Sequence, residues 1–242
     1  TVMTNDAANG GGAAYAYVSK TLVAVNSATS AGGGMYDGLA VNSVIVSNSA
    51  VTGGGAVSGN VERSTVSYNT ATHAGGVDGV TADSSVVVRN EAAGDAGGAR
   101  GSILRNCTVA DNTAGGAGGG AAGETAHNTI VYDNTASVSN NLDAVACAYC
   151  CAPELPGPAH VPDPPQFINP SDDNYRLFVS SPCNNAGDDA LVVVPWDRDG
   201  GNRIRNGRVD MGAYETIPEP SATIVLGLAA LATVKRVTSD IG

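Results

Sequence analysis

The cysteines are the first residues of this sequence whose type and spacing could do chemistry. Cys147, Cys150 and Cys151 form a Cys-x-x-Cys-Cys cluster, and Cys183 follows later in the chain. A structural zinc site needs four Cys or His ligands, but only His160 follows the cluster closely. The spacing is a poor match for a metal, so disulfide bonds in an oxidising compartment are the better prediction. With five cysteines, at least one thiol stays free or pairs elsewhere.

Acidic residues offer a second kind of chemistry. Asp197 and Asp199 precede Gly200 with the carboxylate spacing of some calcium loops. Calcium is therefore the one metal ion that we predict this chain to bind. The alternative is a turn fixed by hydrogen bonds from the aspartate side chains to the backbone.

Composition limits the partners and the core. The formal net charge is −11, so we predict no nucleic-acid partner and no attraction to an anionic membrane surface, whereas neutral or cationic partners fit. The chain has 32 glycines but only two Phe and one Trp. A core of small side chains must be thin, which suits stacked strands better than packed helices.

An internal repeat positions these groups. An Asn followed two places later by Ala recurs every 21 or 22 residues. The seven repeated asparagines are Asn5, Asn26, Asn48, Asn69, Asn90, Asn112 and Asn134. Three places before each Asn stands Val or Ile, and a Gly-rich triplet follows each of the first six.

This period predicts an all-β fold, a single-stranded parallel β-helix of about seven coils. Each coil would hold three short strands and three turns, and the leucines that a leucine-rich repeat needs are scarce. Coils stack at the ~4.8 Å strand spacing, which gives a rod of roughly 30 Å. We expect the asparagines to form a hydrogen-bonded structural ladder, with the β-branched residues facing inward.

The repeat also sorts the remaining candidate residues. Asp111 and Asp133 both precede a ladder Asn, so they should stack on adjacent coils, as an acid pair, a cation site or solvated turn residues. His73 and His127 occupy different repeat positions and should not face each other. The tyrosines also differ in repeat position, which argues against a shared carbohydrate-binding stripe of Tyr15, Tyr17, Tyr36, Tyr68 and Tyr132.

Two motifs resemble known families of bacterial surface proteins. The [V/I]-x-x-N-x-A element with its glycine triplet is similar to the right-handed parallel β-helix repeats of polymorphic outer membrane proteins. Segments 173–189 (DNYRLFVSSPCNNAGDD) and 196–215 (WDRDGGNRIRNGRVDMGAYE) resemble the C-terminal region of surface β-helix proteins of the choice-of-anchor Q type. The resemblance implies a right-handed helix, a cap over its last coil, and a disulfide from Cys183 to Cys147, Cys150 or Cys151.

The tail resembles a PEP-CTERM sorting signal. Pro218, Glu219 and Pro220 precede an apolar stretch at 222–234 and the basic pair at 235–236. The resemblance implies recognition of the Pro-Glu-Pro motif by an exosortase and transient membrane contact through the tail. No N-terminal signal peptide is evident, which suggests a fragment or a processed chain with an open first coil that could stack end to end on another copy.

We therefore expect β-helix repeats over 1–142, an irregular disulfide-containing C-terminal cap region over 143–216 and a sorting or anchor tail over 217–242. The predicted protein is an exported cell-surface or extracellular-matrix β-helix with a structural or adhesive role and no catalytic residue. Its expected partners are surface or matrix components, polysaccharide among them. The alternatives are a polysaccharide lyase or glycosidase-like enzyme and a non-catalytic carbohydrate-binding module.

Overall fold

The chain winds into a parallel β-helix, which confirms the predicted fold class. The computed structural model describes residues 1–123, 125–205 and 207–216. Each strand of a coil pairs in parallel with the equivalent strand of the next coil, about 21 or 22 residues later, as Val66 with Val87 and Val87 with Val109. About seven coils stack in this way.

Three parallel sheets form the walls. Sheet 1 contains Val2–Met3, Leu22–Ala24, Val44–Val46, Thr65–Ser67, Val86–Val88, Thr108–Ala110 and Ile130–Tyr132. Sheet 2 contains Asp6–Asn9, Ser27–Ala31, Ser49–Thr52, Thr70–His73, Glu91–Ala92, Thr113–Ala117 and Thr135–Val138. Sheet 3 contains Ala13–Ala14, Tyr17–Ser19, Met35–Val41, Ala56–Glu62, Val77–Asp78, Thr81–Asp83, Ala99–Arg100, Ile103–Arg105, Ala121–Ala122, Thr125–His127, Leu142–Asp143 and Ala146–Ala148.

The rest of the described chain is mostly irregular. Two antiparallel hairpins and two short 3-10 helices follow the coils; they are Phe167–Asn169 with Asn174–Leu177, Ile204–Arg205 with Arg208–Val209, Pro170–Asp172 and Asp189–Leu191. Across the residues that the structure describes, no helix is long and apolar enough to cross a membrane.

A column of asparagine side chains runs up the inside of the solenoid. Asn69 Nδ2 donates to Asn90 Oδ1 at 2.9 Å and to the Ile45 carbonyl at 3.0 Å. Asn69 Oδ1 accepts from both the backbone N–H and the Nδ2 of Asn48. Both donors and both lone pairs of the Asn69 amide are thus used in a site that is fully buried.

The glycine triplets allow the coils to approach one another around this ladder. A Cβ on Gly33 would lie 2.4 Å from the Ser49 carbonyl oxygen and 2.5 Å from that of Gly54. A Cβ on Gly34 would meet the carbonyl oxygen of Gly55 at 2.6 Å. No other residue type fits these positions without moving the neighbouring coil.

A second ladder, which the sequence analysis did not identify, runs up another corner. The backbone N–H of Ser43 donates to Ser64 Oγ at 3.0 Å, and that of Ser64 donates to Ser85 Oγ at 3.1 Å. Cys107 takes the next place, where its backbone N–H donates to Thr129 Oγ1 at 3.3 Å. Burial raises the pKa of the Cys107 thiol to about 12, so this cysteine is a neutral ladder member.

Coil pairing continues past the boundary expected at residue 142. Ala146–Ala148 pairs with Thr125–His127, and Cys151 forms a bridge with Ile130. The repeated Asn and Gly residues are missing from this part of the sequence. Apolar residues still face inward, and Leu142, Val145 and Cys147 pack against the core. The coils therefore run to about Cys151.

The end of the solenoid is covered by residues 153–161, which we call the end cap. Val161 forms a parallel bridge with Cys151, and Leu155 packs against the core. The Asn ladder ends on Asn141, whose Oδ1 accepts from the Nδ2 of Asn134 and whose Nδ2 donates to Glu154 at 2.9 Å. The end cap thus provides hydrogen-bond partners for backbone and side-chain groups that the last coil would otherwise expose.

The longer C-terminal segment, residues 166–216, has a different place from the one expected. It packs along the outer face of sheet 1, where Tyr175 and Ala213 contact Val86, Val88 and Ala110. The Ala213 N–H donates to Thr108 Oγ1 at 3.0 Å. Within the region 143–216 that is predicted to cap the last coil, the end cap covers the end of the solenoid. The C-terminal segment packs mainly on the side wall and reaches the last coil through Leu177, Cys183 and Met211, which pack with Ile130 and Cys151.

We expect Asn69→Ala to lower the free energy of unfolding by at least ~3 kcal/mol. The change leaves the N–H and Nδ2 of Asn48, the Ile45 carbonyl and Asn90 Oδ1 each without one partner inside the core. Urea denaturation followed by circular dichroism measures the loss.

Asn5→Ala is the matched control at the exposed first coil. Its side chain donates to Asn26 Oδ1 and the Met3 carbonyl in partial contact with water, so the cost should stay below about 1 kcal/mol. Equal losses for the two variants would show that the buried ladder does not stabilise the fold.

Candidate functional site

Polar and charged side chains of the turns before the last four ladder asparagines stack on the outside of the solenoid. Tyr68, Arg89, Asp111 and Asp133 hold this position on four consecutive coils, all with φ between 55° and 57°. A positive φ is unusual for residues other than glycine. The repeated left-handed turn places these side chains in one column, so Asp111 and Asp133 are neighbours, and the charge of Asp111 acts on the pKa of Asp133.

The C-terminal segment covers most of this column. Tyr175 Oη donates to Asp111 Oδ2 at 2.6 Å and accepts from Arg89 Nε at 3.2 Å. Asp173 pairs with Arg89 at 3.1 Å and accepts from the Tyr68 hydroxyl at 3.2 Å. These bonds fasten the segment to the wall and engage Asp111.

Asp133 is the exposed member of the acid pair. Partial burial, and then the charge of Asp111, raise its pKa above the ordinary aspartate value. Burial also raises the pKa of Tyr175, and its hydrogen bond to Asp111 adds to the effect. Tyr68, Arg89 and Asp111 are thus all engaged by the C-terminal segment, and Asp133 is the member of the column whose carboxylate stays free.

A cavity lies on the C-terminal segment itself, and we call it the side groove. Its volume is about 410 Å³, which falls in the ~300–1,000 Å³ range of ligand pockets. Its lining residues are Ile168, Arg176, Leu177, Phe178, Val179, Asp199, Glu215 and Thr216. Phe178 is 49% exposed and Val179 is 59% exposed, so an apolar wall faces solvent there.

An ion pair forms the polar side of the side groove. Arg176 Nε and Nη2 donate to the two oxygens of Asp199 at 2.9 and 2.6 Å. The guanidinium also lies over the Tyr214 ring, with its carbon 4.6 Å from the ring centroid. The bond to Asp199 raises the pKa of Arg176, so the pair stays charged.

A buried arginine holds the floor of this segment together. Arg203 is 1% exposed; Nη1 donates to the Ala213 carbonyl at 2.8 Å, and Nη2 lies 3.4 Å from Glu215 Oε1. Glu215 also accepts from the Asp210 N–H at 3.1 Å. Burial raises the pKa of Glu215 to about 8 despite Arg203, so the carboxyl is largely protonated at neutral pH.

The predicted calcium loop has other partners in the structure. Asp197 is buried and accepts from the backbone N–H groups of Gly201 and Glu215, whereas Asp199 pairs with Arg176. Within residues 1–123, 125–205 and 207–216, no group of three or more His, Cys, Asp and Glu side chains could hold a metal. The geometry lends calcium no support, and the site stays a prediction.

The cysteines form two pairs of thiols, and the described residues contain no disulfide bond. Cys183 lies against Cys151, so among its three expected partners the structure favours Cys151. Cys147 and Cys150 contact each other. The ladder cysteine Cys107 is a free thiol.

The remaining sequence candidates are dispersed. His73 lies in sheet 2 and His127 in sheet 3, so they do not meet. Tyr15 and Tyr36 form an edge-to-face pair with centroids 5.7 Å apart, whereas Tyr68 contacts Asp173 at the far side of the solenoid. The sorting motif at 218–220 lies outside the described residues.

Comparisons with known proteins give little further guidance. No protein-family model and no curated protein sequence matches the chain. Among solved structures, the crystal structure of pectate lyase Pel9A is similar, with 15% sequence identity and a TM-score of 0.46 over 87% of this chain and 70% of that one.

We expect the protein to lose stability as pH rises through about 8. The folded-state pKa of Glu215 lies above its ordinary value of 4.5, so the native state binds the extra proton between these pH values. The resulting stabilisation is complete below pH 4.5 and lost above about pH 8, with a slope of up to ~1.4 kcal/mol per pH unit. Urea midpoints from pH 6.5 to 9 measure it.

Glu215→Gln is the control, since the amide keeps an acceptor for the Asp210 N–H and does not titrate. The profile of this variant should be flat between pH 7 and 8. Asp83, whose pKa burial raises to about 6, contributes to the slope mainly below pH 7. An unchanged slope in the variant would assign the titration to another group.

Proposed function

We propose that this protein is an exported surface or matrix β-helix that binds a neutral polysaccharide in the side groove and does not cleave it. The observation that carries the proposal is the pairing of an exposed apolar wall with a charged hydrogen-bonding edge in one cavity. Phe178 and Val179 supply the wall, and Arg176 with Asp199 supplies the edge.

This pairing suits the chemistry of a sugar ring. The C–H face of a pyranose packs on an aromatic side chain, while its hydroxyl groups both donate and accept hydrogen bonds. Asp199 offers acceptors and Arg176 offers donors beside Phe178, each of the pair being nearly half exposed. One sugar unit can therefore contact all three groups.

Charge favours a neutral polymer over an acidic one. The chain carries a formal net charge of −11, which repels polyanions, most strongly at low ionic strength. The one arginine in the side groove is already neutralised by Asp199. Uronate polymers are thus poor candidates.

The carboxyl groups of the side groove are poorly placed for turnover. A glycosidase needs two carboxyl groups on either side of the scissile bond. The Glu215 side chain is 1% exposed and bonded to Arg203, and Asp199 is held by two bonds to Arg176. These contacts favour binding over hydrolysis.

A polysaccharide lyase or glycosidase is the second candidate, and one observation favours it. Asp133 is exposed on the coil next to Asp111, and its pKa is raised, as an acid or base catalyst requires. A polymer that crosses the turn column would meet this carboxylate.

Export and membrane contact rest on the resemblance of the tail to a sorting signal. End-to-end stacking remains part of the proposed structural role, but a second copy would have to displace the end cap or meet the first coil. Sedimentation velocity over a range of concentrations measures this association.

We expect Phe178→Ala to weaken binding to a neutral polysaccharide at least tenfold. The apolar wall loses its aromatic ring while the Arg176–Asp199 pair stays in place. Affinity electrophoresis on β-glucan, xylan and mannan gels, with polygalacturonate as the acidic comparison, measures retention of the full chain. The same mixtures are assayed for new chain ends.

Tyr17→Ala is the matched control, because Tyr17 is 67% exposed on the solenoid wall, away from the side groove. Retention on a neutral gel that is lost in Phe178→Ala and kept in Tyr17→Ala supports the proposal. No retention, retention on polygalacturonate alone, or loss in Tyr17→Ala alone contradicts it. New chain ends would favour the enzyme, to be tested with Asp133→Asn.

A further inference from the structure

Two cysteines meet at the end of the solenoid. Cys147 lies in the strand Ala146–Ala148, paired with Ala126, and packs against the core. Cys150 takes the next place in the second ladder, where its sulfur accepts from the Thr129 N–H. The last turn of the coil brings the two side chains into contact with each other.

The two thiols differ in exposure. Cys150 is fully buried, with its sulfur 3.4 Å from the carbonyl oxygen of Ala126. Cys147 is only partly buried. Cys147 is therefore the more exposed of the two cysteines, and Cys150 lies behind it.

We propose that Cys147 and Cys150 form a thiol–disulfide exchange site that reacts with low-molecular-weight disulfides of the oxidised glutathione class. The geometry places a partly exposed cysteine, the attacking residue, in contact with a buried one, the resolving residue. Such a pair is the arrangement that dithiol exchange requires.

The charge states of the two thiols agree with these roles. The hydrogen bond from Cys150 lowers the pKa of Cys147, which favours the attacking thiolate. The same bond and burial raise the pKa of Cys150, which keeps the resolving thiol protonated until it is needed.

The exchange balances as two displacements. The Cys147 thiolate attacks one sulfur of the external disulfide, breaks its S–S bond and releases one thiolate, leaving a mixed disulfide on Cys147. Cys150 then gives up its proton and attacks Cys147 Sγ, which forms the Cys147–Cys150 bond and expels the second thiolate. Two cysteines are oxidised, one external disulfide is reduced to two thiols, and both protons pass to those thiols.

The other cysteines serve as internal references. Cys151 and Cys183 are fully buried in a cluster with Ile130, Leu177 and Met211. Cys107 is fully buried inside the coils. Folded protein should therefore protect all three from reagents that reach Cys147.

The test is alkylation of the folded, reduced full chain with iodoacetamide, with each site quantified by mass spectrometry of peptides. Cys147 should react at least tenfold faster than Cys107, Cys151 or Cys183. In a glutathione redox buffer the chain should acquire a Cys147–Cys150 bond that reverses with the buffer ratio, and Cys150→Ser should trap a glutathione adduct on Cys147.

Cys107→Ser is the matched control, since it removes a buried thiol from the same ladder and should leave the exchange unchanged. Alkylation of Cys147 as slow as that of Cys107, no glutathione-dependent bond, or a bond from Cys147 to Cys151 or Cys183 would overturn the proposal. The alkylation and glutathione-buffer measurements both use the unaltered chain, so together they decide the question even where a variant fails to fold.

Discussion

The buried asparagine column is the constraint on which the rest of the structure depends. Each interior amide bonds to the amide of the next coil and to the backbone on either side, as Asn69 does with Asn48, Asn90 and Ile45. A slip of one residue would replace a ladder Asn with the charged or hydroxyl-bearing residue beside it, such as Arg89 or Thr70, and leave ladder donors and acceptors unpaired in the core. The ladder thus fixes the register in which Val and Ile stack, and it allows a core of small residues to specify one fold.

The repeated part of the fold could be predicted because each structural role recurs in the sequence. The Asn, β-branched and glycine positions return every 21 or 22 residues, and the structure stacks them in register. The packing of the C-terminal segment on the outer face of sheet 1 was harder to predict, since the segment is distant in sequence and does not repeat. One signal was present: Val86, Val87 and Val88 are all apolar, so that strand must be buried on both faces.

The side groove could not be predicted from the sequence for a related physical reason. Arg176 and Phe178 belong to one hairpin strand and its exit, and Asp199 belongs to a loop more than twenty residues later. Arg203 stabilises this part of the segment, because its buried guanidinium donates hydrogen bonds to the backbone carbonyls of Asp210 and Ala213. The carboxylate spacing at Asp197 and Asp199 suggested calcium, but the structure gives the two side chains different partners: backbone amides and an arginine.

The two ladders end in different kinds of residue, one that only stabilises the fold and one that could also react. The asparagine ladder ends on Asn141 and Glu154, whose side chains satisfy its last donors and acceptors. The second ladder ends instead on Cys150, where a thiol takes the place of a hydroxyl. A sulfur is a weaker acceptor than a hydroxyl oxygen, so this end stabilises the coil less, while it sets a nucleophilic group beside Cys147. The difference from Cys107, a thiol within the same ladder, is exposure: Cys107 is enclosed by the coils, whereas the pair at Cys147 and Cys150 lies where the repeat stops and one of its members is only partly buried.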